Sequence, residues 1–355
     1  MKLLENRWRG PGLGPVEGIA DGEVLRDADI PVRLMAQCPI AHETPLLDCD
    51  PAARDLGIAG LFLKDERDRL GLGSFKALGA AYAIAKRAAA TGADDMASAL
   101  SGQTFVCASA GNHGLSMAAG ASLFGADSVV FLSDTVPESF AARLRRKGAK
   151  VIRSGAVYED SMAAAVDAAA ANGWHLLSDS TWPGYSTPAV DVMEGYLIMG
   201  AEVVRQVPCA PTHIFLQAGV GGLAAACAAS ARAAWGTGPQ IIVVEPDRAP
   251  ALYESILAGA PVATSGGVSA MGRLDCKEPS HVALKYLARE ADHFMLITEQ
   301  ECADTVTWLS GHGVVTSPSG AAGVAGLRAA AQALDIGAQS HVLAYVSEGA
   351  QDGDG

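Results

Sequence analysis

The chain has 355 residues, half of them hydrophobic, with 39 acidic against 26 basic side chains and a formal net charge of −13. That balance excludes the clustered Lys and Arg footprint of a nucleic-acid binder. No apolar run reaches membrane-spanning length without Gly, Pro or charge, so no membrane partner is expected. The length supports a large core, most simply divided into two lobes.

The opening MKLLENRWRG meets charge and Trp8 at once, which is not the pattern of a secretory leader. Residues 1–30 are expected to lack regular structure. GLFLKDE (60–66) predicts a strand, and FKALGAAYAIAKRAAATG (75–92) a helix. TFVCAS, DSVVFLS, KVIRSG and WHLLSD then read as strands, with SMAAGASLFG, SFAARLRRKG and YEDSMAAAVDAAAANG as the alanine-rich helices between them. The same beat returns in THIFLQAG, QIIVVEPD, HFMLITE and HVLAYVSEG, while residues 264–280 read as irregular and the tail GAQDGDG as frayed. Strand–helix alternation of this kind predicts parallel sheets covered by helices, an α/β fold that binds ligands beyond the carboxyl ends of its strands. The basic run RLRRKGAK (143–150) reads as a solvated helix end.

Seven cysteines (38, 49, 107, 209, 227, 276 and 302) form no C-x-x-C pair and have no close His, so they read as reduced thiols of a cytoplasmic protein without a metal site.

Four strand ends carry small residues. GSFKALGA (73–80) places Lys76 among apolar neighbours, where an ammonium is costly unless paired or neutralised. SAGNHG (109–114) follows TFVCA, AGVGGLAAA (218–226) follows HIFLQ, and SEGAQDG (347–353) follows HVLAYV. In AGVGGLAAA the glycines let backbone N–H groups turn inward ahead of a helix, a phosphate cradle. On its own that turn also admits a dinucleotide, with Glu245 in the next strand at ribose distance.

Taken together and in order, S-F-K at 74–76, S-x-G-N-H-G at 109–114, G-V-G-G at 219–222 and the Ser-x-Gly strand end at 347 resemble the tryptophan-synthase-β-like, fold type II enzymes that use pyridoxal phosphate. KDERDRLGLGSFKALGA, SDSTWPGY (178–185), VVEPDRA (243–249) and the M-x-x-L-x-C-x-E-P run (271–279) are similar to the diaminopropionate ammonia-lyases within that group. The serine and threonine dehydratases share the lysine, asparagine and glycine turns. The resemblance implies two domains, each a mostly parallel sheet flanked by helices, with the cofactor in the cleft between them. The large domain would comprise residues 1–83 and 186–355, and the small one residues 84–185 with the asparagine loop.

The same resemblance implies roles. Lys76 would hold the cofactor's aldehyde carbon and serve as base, its amine pKa depressed by a tight, partly desolvated site. Phe75 would pack beside the ring, and Asn112 would hydrogen-bond the ring oxygen. Gly219, Val220, Gly221, Gly222 and Leu223 would supply phosphate contacts, and Ser347 would face the pyridine nitrogen. Ser109, Ala110, Gly111 and His113 would form the loop that grips the substrate carboxylate, with no proton transfer assigned to His113. Asp179 would receive a substrate ammonium or hydroxyl or orient a leaving group; a helix-capping aspartate would look the same in sequence. Ser319 and Gly320, in SPSGAAG, read as a further helix start beside the site.

One departure matters. The diaminopropionate ammonia-lyases carry an aspartate, credited with handling the D-isomer's proton, where this chain has Ala110, and serine racemases of the mammalian type use a serine there. The expected activity is therefore α,β-elimination from a β-hydroxy or β-amino L-amino acid, giving a 2-oxo acid and ammonia. Serine- or threonine-type substrates and 2,3-diaminopropionate stand level, and a homodimer is usual for such folds. A β-replacement synthase of the cysteine synthase type is the rival reading, although its T-S-G-N-T signature is missing.

Overall fold

A computed structural model of the chain describes residues 1–38 and 40–350. Its strands are β1 (Lys2–Glu5), β2 (Leu46–Asp48), β3 (Gly60–Asp65), β4 (Thr104–Ala108), β5 (Asp127–Leu132), β6 (Lys150–Arg153), β7 (His175–Leu176), β8 (His213–Gln217), β9 (Gln240–Pro246), β10 (His293–Ile297) and β11 (His341–Val346). Each strand predicted from an apolar run is present. They form two sheets, one of seven strands in the order β1-β10-β9-β8-β11-β3-β2 and one of four in the order β6-β5-β4-β7. The small sheet is wholly parallel, while the large one is parallel except at its edges, where β1 on β10 and β2 on β3 run antiparallel. Parallel neighbours need crossover connections, and the helices of the alanine-rich segments supply them.

Those alanines set the packing. In the helices Gly222–Trp235 and Pro318–Ala330 almost every side chain from Gly222 to Arg232 and from Ser319 to Leu327 is buried. Helices so apolar all round are sandwiched between layers rather than laid on a surface. β8, β9 and β11 are likewise buried nearly throughout, the pattern of a sheet covered on both faces. The helix Gly79–Ala90 packs against both Asn112–Leu123 and Thr187–Gln206, joining the layers of the two sheets.

The N-terminal stretch differs from expectation. Residues 2–5 pair with His293–Leu296 at the sheet edge, and Asp29–Met35 is a short helix. A four-residue edge strand has no alternation of its own to display, and its pairing comes from β10. The residues predicted as one helix from Phe75 begin instead as a 3-10 turn, Phe75–Leu78, capped by Ser74, before the helix proper starts at Gly79. Residues 264–280 are irregular as expected. Of the tail predicted to fray, residues 351–355 lie outside the described residues. In the basic run, Arg143, Arg145 and Arg146 occupy the last turn of a helix and Arg145 pairs with Glu138.

The chain that follows β3 and leads to Lys76 is fastened by a buried charge network. Arg69, 1% exposed, meets Glu66 at 2.7 Å and Glu202 at 2.6 Å, and Lys64 reaches Glu202 at 2.6 Å. Thr44 donates to Glu66 at 2.7 Å, and Lys64 donates to the Thr44 carbonyl at 2.6 Å. The network ties this segment to the long helix Thr187–Gln206. Removing one partner of such a set strands buried charge. Glu202→Ala should therefore lose about 3–5 kcal/mol of stability in denaturant unfolding, and a loss under about 1 kcal/mol, the value of a surface pair, would contradict this account.

Candidate active site

Five strand ends converge. The backbone following β3 and that following β11 are stitched together: the N–H of Glu66 donates to Val346 O at 2.9 Å, that of Phe75 to Ser347 O at 3.0 Å, and that of Gly349 to Gly73 O at 3.1 Å. Lys76 thus sits one residue beyond a backbone bond to Ser347. From the small sheet, the end of β4 brings the asparagine loop, and the turn after β7 brings Asp179. The Lys76 ammonium is paired with the Asp179 carboxylate, 103 residues away in sequence. This aspartate is no helix cap, since the next helix starts only at Thr187.

The pair decides the ionisation of the site. Burial alone would lower the Lys76 amine, but the carboxylate outweighs it and holds the ammonium above its ordinary range. Burial alone would likewise raise Asp179, and Lys76 and then His113 hold it well below the usual carboxylate range. The depressed amine expected from desolvation is therefore not what the geometry gives; a charged partner wins.

The asparagine loop is held by its own first residue. Ser109 Oγ accepts from the N–H groups of Gly111 at 3.2 Å and Gly114 at 3.1 Å, and Asn112 begins the helix Asn112–Leu123. Asn112 Nδ2 donates to Glu348 Oε2 at 2.7 Å, crossing from one sheet's loops to the other's. His113 shares a hydrogen bond of 2.8 Å between Nε2 and Leu177 O, its buried Nδ1 has no partner among the described residues, and burial lowers its pKa. With a carbonyl as partner, Nε2 carries the proton of a neutral ring. Ala110 is half-buried against the core.

The glycine turn after β8 is a cradle at a helix start. Gly221, at φ +101°, is the N-cap of Gly222–Trp235, a conformation that L side chains rarely adopt. A Cβ on Gly219 would lie 2.9 Å from Cys276 Sγ and 3.2 Å from Arg273 O, so the 273–276 segment packs on bare backbone there. The Leu223 side chain is buried in the core, which leaves its backbone as the part that faces the cradle end. Phe75 packs its ring 4.9 Å from Tyr196. Ser347 Oγ accepts from Gln217 Nε2 at 3.0 Å, leaving the Ser347 hydroxyl hydrogen available to an unprotonated ring nitrogen. Ser319 lies in the first turn of a helix capped by Ser317 rather than capping it, and its Oγ accepts from the Arg273 N–H at 3.0 Å.

The dinucleotide reading fails on Glu245. Its two carboxylate oxygens accept from the N–H groups of Leu252 and Tyr253, each at 2.7 Å, and burial pushes its pKa up to about 8. It caps a helix inside the protein and faces no ribose.

An amine, a cradle of backbone N–H groups at a helix N-terminus, an asparagine amide and a hydroxyl together match what an aldehyde-bearing, phosphorylated pyridine requires. Residues 39–348 match the family model described as pyridoxal-phosphate dependent enzyme. The chain belongs to that family. The diaminopropionate ammonia-lyase of Escherichia coli (strain K12) is 29% identical over 328 residues, covering 85% of this chain and 80% of that one. The L-threonine ammonia-lyase of Geobacter sulfurreducens is 30% identical over 200 residues, covering 56% of this chain and 47% of its own. A crystal structure of the Escherichia coli diaminopropionate ammonia-lyase in complex with D-serine superposes with a TM-score of 0.87 at 25% identity, covering 98% of this chain and 93% of that one. The chain is a pyridoxal-phosphate-dependent lyase of the ammonia-lyase and dehydratase kind, with an amino acid as substrate, and the fold is the tryptophan-synthase-β-like α/β fold. Among the described residues no helix is long and apolar enough to cross a membrane.

Sequence reasoning missed several side chains at this site. Gln217, the last residue of β8, and Glu348, next to Ser347, were signalled only by lying at strand ends. Cys276 stood in a quoted run without a role; its thiol lies beside the cradle, and burial pushes its pKa up to about 11. Tyr196, in mid-helix, gave no signal, yet it packs on Phe75 and its buried hydroxyl has no hydrogen-bond partner among the described residues.

The ion pair generates a test. In Asp179→Asn the carboxylate, the largest influence raising the amine, is gone, and burial of Lys76 becomes dominant. The midpoint of the pH profile for capture of added pyridoxal phosphate by the apoprotein, followed by stopped-flow absorbance, should move to lower pH, because capture needs the neutral amine. An unmoved or raised midpoint would show that Asp179 does not set the charge on Lys76.

Proposed function

We propose that this lyase eliminates the β-substituent of a β-hydroxy or β-amino L-amino acid, 2,3-diaminopropionate or a serine- or threonine-type substrate, with Lys76 as its only base for the α-proton. The observation that carries the reading is the Lys76–Asp179 pair beside the asparagine loop that holds Ala110. Bound pyridoxal phosphate would supply an electron sink and a carbonyl carbon for the substrate amine. Lys76 would hold it, Gly219 to Leu223 would take its phosphate, Asn112 its ring oxygen and Ser347 its ring nitrogen.

The Lys76 amine, when free and neutral, would take the α-proton. The electron pair left at Cα forms the Cα–Cβ double bond as the Cβ–O or Cβ–N bond breaks. The leaving group departs as water or ammonia, taking a proton from Lys76. Asp179, freed from its partner's full charge, orients that leaving group, and its burial then favours sharing a proton with it. The backbone of Ser109, Ala110, Gly111 and His113 grips the α-carboxylate. The released enamine hydrolyses to a 2-oxo acid and ammonia. A hydroxyl such as that of Ser347 does not keep a pyridine nitrogen protonated as a carboxylate would, which favours elimination over reactions that need a long-lived carbanion.

Residues 1–83 with 186–355 and residues 84–185 form the two domains in this proposal. The small sheet takes all its strands from 104–176, and the 83/84 junction falls within the helix Gly79–Ala90. A cytoplasmic homodimer completes it. Seven free cysteines suit a reducing compartment, and the exposed Leu25, Ile30 and Ile40 offer apolar surface near one another in sequence for a second copy.

A panel of β-substituted amino acids assayed for ammonia and 2-oxo acid tests the activity. Release without added nucleophile is expected, and product that forms only when a thiol is supplied would favour the synthase instead. Lys76→Ala should fold normally yet lower kcat by about three or more orders of magnitude, and near-normal turnover would remove Lys76 from its role. Wild-type enzyme should act on L- and not D-isomers, so equal rates would refute the single-base account.

A further inference from the structure

Glu348 stands where three loops of the site meet. It is the second residue past β11 and is buried. Its backbone forms an antiparallel bridge with Ser74, and Ser74 Oγ accepts from the Lys76 N–H at 3.2 Å, so main chain fixes Glu348 against the lysine turn. Its side chain reaches two further elements. Oε2 accepts from Asn112 Nδ2 at 2.7 Å, and Oε1 accepts from Ser317 Oγ at 2.6 Å. Ser317 in turn caps the helix Pro318–Ala330, its Oγ accepting from the Gly320 N–H at 3.0 Å. Arg273 Nε, 4.0 Å from Oε2, balances the buried charge.

This arrangement decides the orientation of the Asn112 amide. A carboxylate oxygen accepts and cannot donate. Turning the amide over would set Oδ1 against Oε2, two acceptors with no hydrogen between them, in a buried place where an unmade hydrogen bond is most destabilising. Nδ2 is therefore held toward Glu348, and the direction of the amide plane follows. Ser109 cannot substitute here, because it accepts from the Gly111 and Gly114 N–H groups and fixes backbone, not the amide. Since Glu348 is also pinned by main chain to the lysine turn, an amide from one sheet's loop is set relative to the lysine of the other's.

We infer that Glu348 is a positioning residue that orients the Asn112 amide for the cofactor's ring oxygen; the inference rests on the role proposed for Asn112 above. A hydrogen bond to that oxygen favours its deprotonated form, so the absorbance of bound pyridoxal phosphate reports on the contact.

The test uses holoenzyme of the wild type, Glu348→Gln, Asn112→Ala, the variant carrying both changes, and Ser317→Ala. The absorbance spectrum, the rate of cofactor loss on dilution and the thermal unfolding temperature are measured for each. Gln keeps the shape of the side chain but offers one acceptor oxygen to two donors. Glu348→Gln should move absorbance from the visible band toward the near ultraviolet and speed cofactor loss by about 5- to 30-fold. Asn112→Ala should act in the same direction, and the double variant should match Asn112→Ala alone, because Glu348 acts through that amide. Ser317→Ala removes the other partner of the same carboxylate, and should lower the unfolding temperature while leaving the spectrum in place. The inference is overturned if Asn112→Ala moves the spectrum and Glu348→Gln does not, if the two effects add in the double variant, or if Ser317→Ala moves the spectrum as far. If Asn112→Ala itself leaves the spectrum and the loss rate at wild-type values, the role proposed for Asn112 fails and the inference falls with it.

Discussion

Three backbone hydrogen bonds between residues 66–75 and 346–349 set the geometry on which the site depends. β3 and β11 are parallel neighbours in the large sheet, in register from Gly60↔His341 to Asp65↔Val346. Beyond their ends the two chains would diverge as separate loops. Instead Phe75 donates to Ser347 O and Gly349 to Gly73 O, so the pairing continues into irregular backbone. A lysine and a hydroxyl 271 positions apart are thereby held together by main chain, which tolerates side-chain substitution better than a side-chain contact would. The buried network of Lys64, Glu66, Arg69 and Glu202 supports the same loop from behind. Its charges are fully committed to each other, which keeps them out of the chemistry while fixing the backbone that carries it.

The small sheet joins this frame through polar contacts of another kind. Asn112 reaches Glu348, and Asp179 reaches Lys76, each from a loop at a carboxyl end of the small sheet to one at an end of the large sheet. Both contacts involve ionisable groups, so relative placement of the two halves of the site is sensitive to charge. Lys76, the residue that would hold the cofactor, is itself one member of the Lys76–Asp179 pair, so the charge on its amine bears directly on one of the two contacts between the halves of the site.

The fold was legible because its signals are local. Apolar runs such as HIFLQ and QIIVVEP, buried on both faces, and alanine-rich helices between them leave few alternatives to covered parallel sheets. β1 and the helix Asp29–Met35 were not legible, since a four-residue edge strand draws its order from β10. At the site, glycine turns and Lys76 announced themselves by residue type in an unusual setting. Their resemblance to a known order of motifs supplied the roles. What sequence could not supply was pairing. Desolvation around Lys76 was readable from its apolar neighbours, but the sign of its effect on the amine depended on Asp179, which arrives from a different strand end. Gln217 and Glu348 showed only as strand-end residues for the same reason: their meaning lies in what stands opposite them in space.

The stereochemical restriction we propose follows from where protons can be held. On the asparagine loop Ala110 has none, and the neighbouring Ser109 hydroxyl already accepts two backbone N–H groups that maintain the loop. His113 commits Nε2 to the Leu177 carbonyl and is lowered in pKa by burial, so it is a poor reservoir of positive charge. Of the titratable groups at this end of the site, Tyr196 and Cys276 are held in their neutral forms by burial, and Lys76 and Asp179 lie together as an ion pair. In the reading we propose, two groups that hold one proton between them would serve one face of a substrate, with the amine as base and the carboxylate turned to the departing β-substituent. In the same reading, an aspartate at position 110 would add a second proton station on the loop, but it would also place a carboxylate beside the backbone N–H groups assigned to the substrate's own. Alanine avoids that competition, so the carboxylate-gripping loop and the single configuration that we propose would both follow from the same side chain.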